Sequence, residues 1–185
     1  MDSSATPINE YQIVLIGGQN SQNKLTDLVE IYDVRENTWR LFEIGLSSPR
    51  RLVSMVSSQK DRVIIIGGKE RDGQDSKVVE EIDFIKRNLV DLAPLNTGRT
   101  QCNAFLVNDS IFVFGGNAES SANYMNGVLK GEKFTMNENR WREVIFKGTS
   151  SSSGNSDGGN MMGNSQGKSN NSIAMCNGPA ALLYE

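Results

Sequence analysis

The sequence predicts an all-β protein built from repeated four-stranded antiparallel sheets, and three observations carry this prediction. A β-branched or aromatic apolar run closed by two glycines occurs three times, and the glycine pairs lie 50 and then 48 residues apart. Each pair is followed by a second strand-like segment and then by a third. Polar, turn-forming residues separate these segments, as hairpins require. The three pairs are Gly17-Gly18, Gly67-Gly68 and Gly115-Gly116.

Each repeat supplies the same elements in the same order. Bulky apolar side chains mark the two strands after each glycine pair and are seven residues apart in every copy: Tyr32 and Trp39, Ile82 and Leu89, Phe134 and Trp141. A further strand candidate precedes the second and third pairs, over residues 51–56 and 99–107. Arg51 and Arg99 begin these segments, each 16 residues before the first glycine of its pair. A unit of about 50 residues with four short strands has the size of a β-propeller blade.

These repeats divide the chain into four parts. Residues 1–10 are expected to form a polar N-terminal tail, followed by three repeats over residues 11–147. Residues 148–172 are mostly serine, glycine and asparagine, so we expect a disordered low-complexity insertion. Residues 173–185 have the pattern of a first strand, which either closes the first blade or starts a further blade. The expected repeat boundaries are about 11–47, 48–95 and 96–147.

The number of repeats leaves the assembly open. Propellers normally have about four to eight blades, so three repeats make an incomplete or oligomer-completed propeller. The chain is either a fragment of a longer protein, or half of a six-bladed ring completed by a second copy, or an open arc. An open arc would expose apolar faces between blades and would be prone to aggregate.

The composition excludes several classes of function. The chain has 185 residues, no histidine and a formal net charge of −3. Catalysis by a Ser-His-Asp triad and histidine-bearing metal sites are therefore excluded. An acidic balance argues against nucleic acid and anionic membranes as partners. Two cysteines and the lack of signal-peptide features at the N-terminus lead us to expect a cytoplasmic protein, with the nucleus as the alternative.

The repeat markers resemble those of the kelch family, whose repeat has a double glycine, an aromatic residue on the next strand and a tryptophan on the last. The first and third repeats match this pattern, whereas the second carries Ile82 and Leu89 in the aromatic places. The resemblance implies propeller blades and a protein-binding platform, often one that recruits a substrate for a larger protein. It also implies that the large aromatic side chains fill the space between neighbouring sheets.

The candidate binding surface is the face that carries the loops after the glycine pairs and the connections between repeats. These are the longest loops of the chain, and binding residues concentrate on long loops of a rigid scaffold. Arginine side chains there can hold carboxylates or phosphates of a partner. Arg51 and Arg99 are also candidates for a structural role, because they match in the repeat, which favours Arg50 and Arg71 as contacts. The full candidate set is Asn20, Arg50, Arg51, Lys69, Arg71, Asp72 and Arg99.

The function that the sequence favours is a non-enzymatic protein-interaction module, a scaffold or substrate adaptor with a protein or peptide partner. No phosphate-binding loop or metal-ligand spacing is present, so no catalytic residue, cofactor or metal is expected. One alternative is a propeller enzyme that acts on a small sugar-like molecule. Another is a truncated propeller fragment without independent function.

Overall fold

The computed structural model of the chain describes residues 2–116 and 128–147, which form three four-stranded antiparallel sheets. Sheet 1 consists of β1 (Ser4–Pro7), β2 (Gln12–Ile16), β3 (Val29–Asp33) and β4 (Thr38–Leu41), hydrogen-bonded in that order. The all-β fold class with blade-like sheets is therefore confirmed.

Sheets 2 and 3 repeat this topology. Sheet 2 consists of β5 (Ser54–Gln59), β6 (Arg62–Ile66), β7 (Val79–Asp83) and β8 (Asn88–Leu92).

In sheet 3 the strands are β9 (Asn103–Val107), β10 (Ser110–Phe114), β11 (Val128–Thr135) and β12 (Arg140–Lys147). A single 3₁₀ turn, Met136–Glu138, joins the last two strands.

The first strand corrects the expectation of a polar tail over residues 1–10. Ser4–Pro7 pair with β2, with Ser4 opposite Ile16 and Pro7 opposite Ile13. The edge of β2 that could have taken the C-terminal segment is therefore occupied by β1. Pro7 suits this place because an edge strand does not need every N–H group. Because the short polar strand Ser4–Pro7 lacks alternating apolar residues, its pairing with β2 could not be predicted from the residue pattern.

Two glycine positions show why the double glycine follows the second strand of each sheet. Gly17 and Gly67 have φ angles of 62° and 61°, in the left-handed region that favours glycine. A methyl group at either residue would overlap the carbonyl oxygen of Arg50 or Arg99, respectively. The next residue in each pair donates its N–H to that same carbonyl, at 2.8 Å. The glycines therefore let the segment between two sheets lie directly against the preceding sheet.

Two apolar clusters hold the sheets together. The cluster between sheets 1 and 2 joins Val14, Ile16, Val29 and Ile31 to side chains of sheet 2 such as Val63.

Ile64, Ile66 and Val79 of sheet 2 belong to the second cluster, together with Phe134 and Trp141 of sheet 3. Sheet 2 is thus packed on both faces. All four residues 63–66 are completely buried there, which fits a strand without polar alternation.

The turns between the third and fourth strands repeat a local motif. Asp33 Oδ1 accepts the N–H groups of Arg35 and Glu36, and Asp83 Oδ1 accepts those of Ile85 and Lys86. These bonds satisfy turn N–H groups that would otherwise need water.

Several expectations fall outside the described residues. They concern the loop at 117–126, the insertion at 148–172 and the strand at 173–185. Within the described part of the chain, no helix is long and apolar enough to cross a bilayer.

Candidate interaction surface

The loops after the glycine pairs lie beside the connections between sheets. Arg51 and Lys69 pair through their backbones, since each N–H donates to the other's carbonyl, at 3.2 and 2.8 Å. The candidate face predicted from the sequence is therefore a continuous surface across sheets 1 and 2. We call it the loop face.

Asn20 and Asp72 support their own loops. Asn20 Oδ1 accepts the N–H groups of Gln22 and Lys24, at 2.9 and 3.0 Å. Asp72 Oδ1 accepts the N–H of Gln74, at 2.9 Å. Both side chains thereby shape the loop rather than project an unsatisfied group toward a partner.

A cleft of about 380 Å³ lies on the loop face between the two loops. Two of the predicted residues, Arg51 and Arg71, line it, and Lys24 adds a third positive charge that the sequence reasoning did not single out. The other lining residues are Gln19, Asn23, Leu25, Glu70 and Gly73.

The three basic side chains of this cleft differ in their surroundings. Arg51 donates to Asp2, at 2.7 Å, and both side chains of the pair are about a third exposed. Lys24 and Arg71 are exposed, and no side-chain partner is present for either among residues 2–116 and 128–147. The cleft therefore presents two free cations and one that shares its charge with Asp2.

Lys69 is committed to a structural contact. Its Nζ donates to Asp75 Oδ1 at 2.6 Å, and the hydroxyl of Thr100 donates to the same oxygen, also at 2.6 Å. Partial burial favours the protonated form of Asp75, but these two hydrogen bonds and the charge of Lys69 hold its pKa below the usual range. Lys69 thus holds Asp75 within their shared loop, and Asp75 joins that loop to Thr100 in the connection that leads to sheet 3.

Arg50 and Arg99 are not surface residues, which corrects their assignment as partner contacts. Arg50 is completely buried and forms an ion pair with Glu80, while Arg99 is 4% exposed and bonds Glu132 at 3.1 Å. Arg99 also donates to the Gly115 carbonyl at 2.6 Å. A buried guanidinium without its carboxylate would be strongly unfavourable, so each pair is a structural unit.

The structure also changes which arginines are equivalent. The carbonyl of Arg50 accepts from Gly18 and that of Arg99 from Gly68, so Arg50 matches Arg99. Counting residues back from the glycine pairs had instead matched Arg51 to Arg99. The count was off by one because the hairpin of β5 and β6 contains a register shift between Ser57 and Gln59. One extra residue in a bulge displaces every upstream position by one.

Glu80 and Glu132 were missed by the sequence reasoning, although a signal was present. Each lies two residues before the apolar marker of its strand, as Glu30 does before Tyr32. Glu80 accepts the N–H of Ser47, and Glu132 accepts those of Asn96 and Thr97. A glutamate repeated at one strand position was the available indication of a structural carboxylate.

The aromatic markers behave differently in sheets 1 and 3. Phe134 and Trp141 are buried, and Trp141 Nε1 donates to the Ala93 carbonyl at 2.8 Å. Tyr32 and Trp39 form the same ring contact, with centroids 5.0 Å apart, yet Trp39 is 57% exposed. The expectation that the large aromatics fill the space between sheets therefore holds for Phe134 and Trp141, whereas no sheet of the described residues covers Trp39.

A larger cleft, of about 740 Å³, lies at the opposite end of sheets 1 and 2, beside the β1–β2 and β5–β6 connections. Most of the residues that line it are polar, among them Asn9, Asp33 and Asp61. Arg35 covers the ring of Tyr11 there, with its guanidinium carbon 3.0 Å from the ring centroid.

The remaining chemistry of the described residues is limited. Cys102 is a buried free thiol next to the Ser54 hydroxyl, and burial raises its pKa. No group of three or more metal-ligating side chains occurs among the residues that the structure describes.

Comparisons with known proteins agree with this geometry. Residues 4–42, which contain all of sheet 1, match the Kelch motif. The same element order recurs in sheets 2 and 3. Sheet 1 therefore carries a Kelch motif.

Two similar proteins illustrate the relationship. The chain is 26% identical over 138 residues to alpha-scruin of Limulus polyphemus, covering 72% of the chain and 15% of that protein. The solved structure of YjhT superposes with a TM-score of 0.55 at 18% identity, covering 72% of the chain and 51% of YjhT. The chain thus spans less than two thirds of either protein, and the likeness to YjhT shows the fold alone.

Proposed function

We propose that this chain is a non-enzymatic protein-interaction module, a scaffold or substrate adaptor, whose partner binds the loop-face cleft. The supporting observation is that Lys24 and Arg71 present free cations at one cleft, although the whole chain carries a net charge of −3. Kelch repeats generally serve protein binding, which fits this role. We place the protein in the cytoplasm or nucleus, where a buried free thiol such as Cys102 remains reduced.

The partner segment that fits this cleft is acidic. A guanidinium binds carboxylates through two parallel N–H groups, whereas an ammonium acts as a point charge. Arg71 and Lys24 together can therefore hold neighbouring carboxylates of an extended segment, with Glu70 limiting how many fit. Contacts of this type weaken as the salt concentration rises.

Binding of a fluorescein-labelled peptide rich in aspartate and glutamate tests this proposal. Fluorescence anisotropy should show binding by the full chain, and Arg71→Glu combined with Lys24→Glu should weaken it by about tenfold or more. Arg140→Glu is the matched control, because Arg140 is an exposed arginine at the far end of sheet 3. Equal weakening by the control, or none by the double variant, would contradict the proposal.

The larger cleft supports a second candidate function, that of a propeller enzyme acting on a small sugar-like molecule. Its polar side chains, Asn9, Asp33 and Asp61 among them, can hydrogen-bond hydroxyl groups. A ligand that binds the folded state raises the thermal midpoint. A sugar that raises the thermal midpoint of the wild type but not that of Asp61→Ala would favour this candidate function over the interaction module.

We also propose that the three sheets are completed from outside, by a second copy or by further sheets of a longer chain. Light scattering after size exclusion separates the two, since a homodimer would have twice the 20.3 kDa of the chain.

A further inference from the structure

A small cleft of about 230 Å³ opens where the edge strand of sheet 1 meets the β7–β8 turn of sheet 2. The residues that line it are Arg40, Leu41, Phe42, Glu43, Phe84 and Arg87. None of these side chains lines the loop-face cleft or the larger cleft at the opposite end of the sheets. The two arginines of this cleft therefore play no part in the function proposed above.

The corresponding place between sheets 2 and 3 is closed by two side chains of sheet 3. Asn139 Oδ1 accepts the N–H of Ala93 at 2.9 Å, and Trp141 Nε1 donates to the Ala93 carbonyl at 2.8 Å. Ala93 directly follows β8, so these bonds fasten the segment after sheet 2 to sheet 3. Both backbone groups of Ala93 are thereby satisfied by the neighbouring sheet.

Sheet 2 carries neither of these two side chains. Leu89 occupies the tryptophan position, since it lies opposite the apolar marker of the third strand as Trp141 does. Arg87 occupies the asparagine position two residues earlier, and its φ of 53° is close to the 46° of Asn139. Leucine has no side-chain donor and arginine has no side-chain acceptor, so sheet 2 forms neither bond.

Glu43 is the residue of sheet 1 that this exchange affects. It lies four residues after Trp39, as Ala93 lies four residues after Leu89. No group within residues 2–116 and 128–147 accepts the N–H of Glu43, which is therefore a free donor. The Glu43 side chain is 59% exposed, and Arg87 donates to its carboxylate at 3.3 Å.

Arg40 adds a second guanidinium to the cleft. It lies opposite Ile31 in the pairing of β3 and β4, and therefore on the side of sheet 1 that packs on sheet 2. Its guanidinium has no partner in the part of the chain that the structure describes. The rings of Phe42 and Phe84, with centroids 5.0 Å apart, join the two sheets beside it. Two cations and a free N–H thus meet against an apolar wall.

We propose that this cleft binds a phosphoryl group, with Arg40, Arg87 and the N–H of Glu43 as its donors. Guanidiniums bind phosphate oxygens through parallel N–H groups, and the backbone N–H supplies a third donor. Because the Glu43 carboxylate already engages Arg87, a ligand has to compete with that carboxylate. A phosphoryl monoester carries a charge of about −1.5 to −2 at pH 7 and has three strong acceptor oxygens. Its higher charge favours it over a further carboxylate.

Titration of the full chain with inorganic phosphate at constant ionic strength tests this site. In ¹H–¹⁵N correlation spectra, phosphate should shift the amide signal of Glu43, because its N–H becomes hydrogen-bonded. Arg40→Gln and Arg87→Gln should each weaken the binding by about fivefold or more. Arg142→Gln is the matched control and should not weaken it, since Arg142 is the exposed counterpart of Arg40 in sheet 3 and pairs with Glu138. An unshifted Glu43 amide, or equal weakening by the control, would overturn the inference.

A double variant separates a built site from a general attraction to surface cations. Arg87→Asn combined with Leu89→Trp gives sheet 2 the two side chains that close the contact between sheets 2 and 3. It should abolish the response of the Glu43 amide to phosphate and leave the thermal midpoint at least as high as in the wild type. A retained phosphate response in this variant would contradict the site. If the double variant does not fold, the titrations of the single variants decide.

Peptides identify the source of the phosphoryl group. A short glycine-serine peptide with one central phosphoserine should bind more tightly than inorganic phosphate if the ligand is a phosphorylated side chain, and equally if it is free phosphate. The same peptide with aspartate in place of the phosphoserine should bind about fivefold more weakly or worse. Equal binding of the aspartate peptide would overturn the assignment to a phosphoryl group.

The outcome is independent of the loop-face proposal. Lys24→Glu combined with Arg71→Glu should leave the response of the Glu43 amide to phosphate unchanged, because neither residue lines this cleft. Conversely, Arg40→Gln should leave the binding of the acidic peptide to the loop face unchanged. Failure of one proposal is therefore distinguishable from failure of the other.

Discussion

Sheets 1 and 3 carry the same side chains at the same strand positions, yet their environments differ. Tyr32 and Trp39 touch at 5.0 Å, as do Phe134 and Trp141, so each aromatic pair forms within its own sheet. Within residues 2–116 and 128–147, only the pair in sheet 3 has a neighbouring sheet to pack on. The comparison shows that the repeat pattern specifies which face is made for burial, and the neighbour decides whether it is buried.

Replacing the two tryptophans by alanine should give the largest difference between the sheets. Trp141→Ala removes a buried ring and the hydrogen bond to Ala93, and should cost about 3–5 kcal/mol of unfolding free energy. Trp39→Ala acts on an exposed ring and should cost less than about 1 kcal/mol. Urea unfolding of both variants measures this. Equal losses would mean that Trp39 is covered in solution.

Substitution of the matched glutamates should also destabilise the protein more in sheet 3 than in sheet 1. Glu132→Gln leaves Arg99 buried without its countercharge and should destabilise by about 3–5 kcal/mol. The double variant Arg99→Met with Glu132→Leu should recover much of this loss, because no charge is then buried alone. Chemical denaturation compares both with Glu30→Gln, which should change stability by no more than about 0.5 kcal/mol. A double variant as unstable as the single one would contradict this account.

The contrast between the tryptophans also marks the limit of prediction from sequence. The strand positions were predictable, because the glycine pairs and apolar markers recur at nearly constant spacing. The exposure of the side chains at these positions was not predictable, because it depends on whether a neighbouring sheet covers them. The strand Ser4–Pro7 was missed because its pairing comes from β2 and not from an apolar pattern of its own.

The candidate site was predictable only in part, for a related reason. The loop face followed from topology, and Arg71 lies on it, exposed. The burial of Arg50 was hidden, because the register shift at Ser57 and Gln59 moved the apparent repeat position by one residue. Residue spacing alone does not reveal a β-bulge. Arg50 therefore had no apparent match in the repeat, although it is the buried residue that corresponds to Arg99.

Glycine substitutions should give a smaller difference that tests the connections between sheets. Gly67→Ala places a methyl group against the Arg99 carbonyl, whereas a methyl group at Gly115 has no neighbour within 4 Å among the described residues. Gly115→Ala should therefore cost only the left-handed backbone strain, about 1–2 kcal/mol, and Gly67→Ala clearly more. Thermal unfolding measures which of the two variants loses more stability. Equal decreases of the thermal midpoint would show that the connection to sheet 3 moves to accommodate the methyl group.

Acid titration should show the smallest effect, and here sheets 1 and 2 should behave alike. The pKa of Asp33 is lowered chiefly by the hydrogen bond from Gln12, and that of Asp83 chiefly by the N–H of Lys86. A carboxyl with a lowered folded-state pKa stabilises the fold above its unfolded value, near 3.9, and loses that contribution as the pH falls through the folded value. Asp33→Asn and Asp83→Asn should each destabilise at neutral pH, and the gap to the wild type should close below about pH 3.9.

Thermal midpoints measured from about pH 6 down to pH 2 check this expectation. A gap that closes for Asp83→Asn but not for Asp33→Asn would mean that the turn of sheet 1 is not formed in solution. The exposure of Trp39 would then reflect a loosened sheet. Matching gaps would leave the missing neighbour as the difference between sheet 1 and sheet 3.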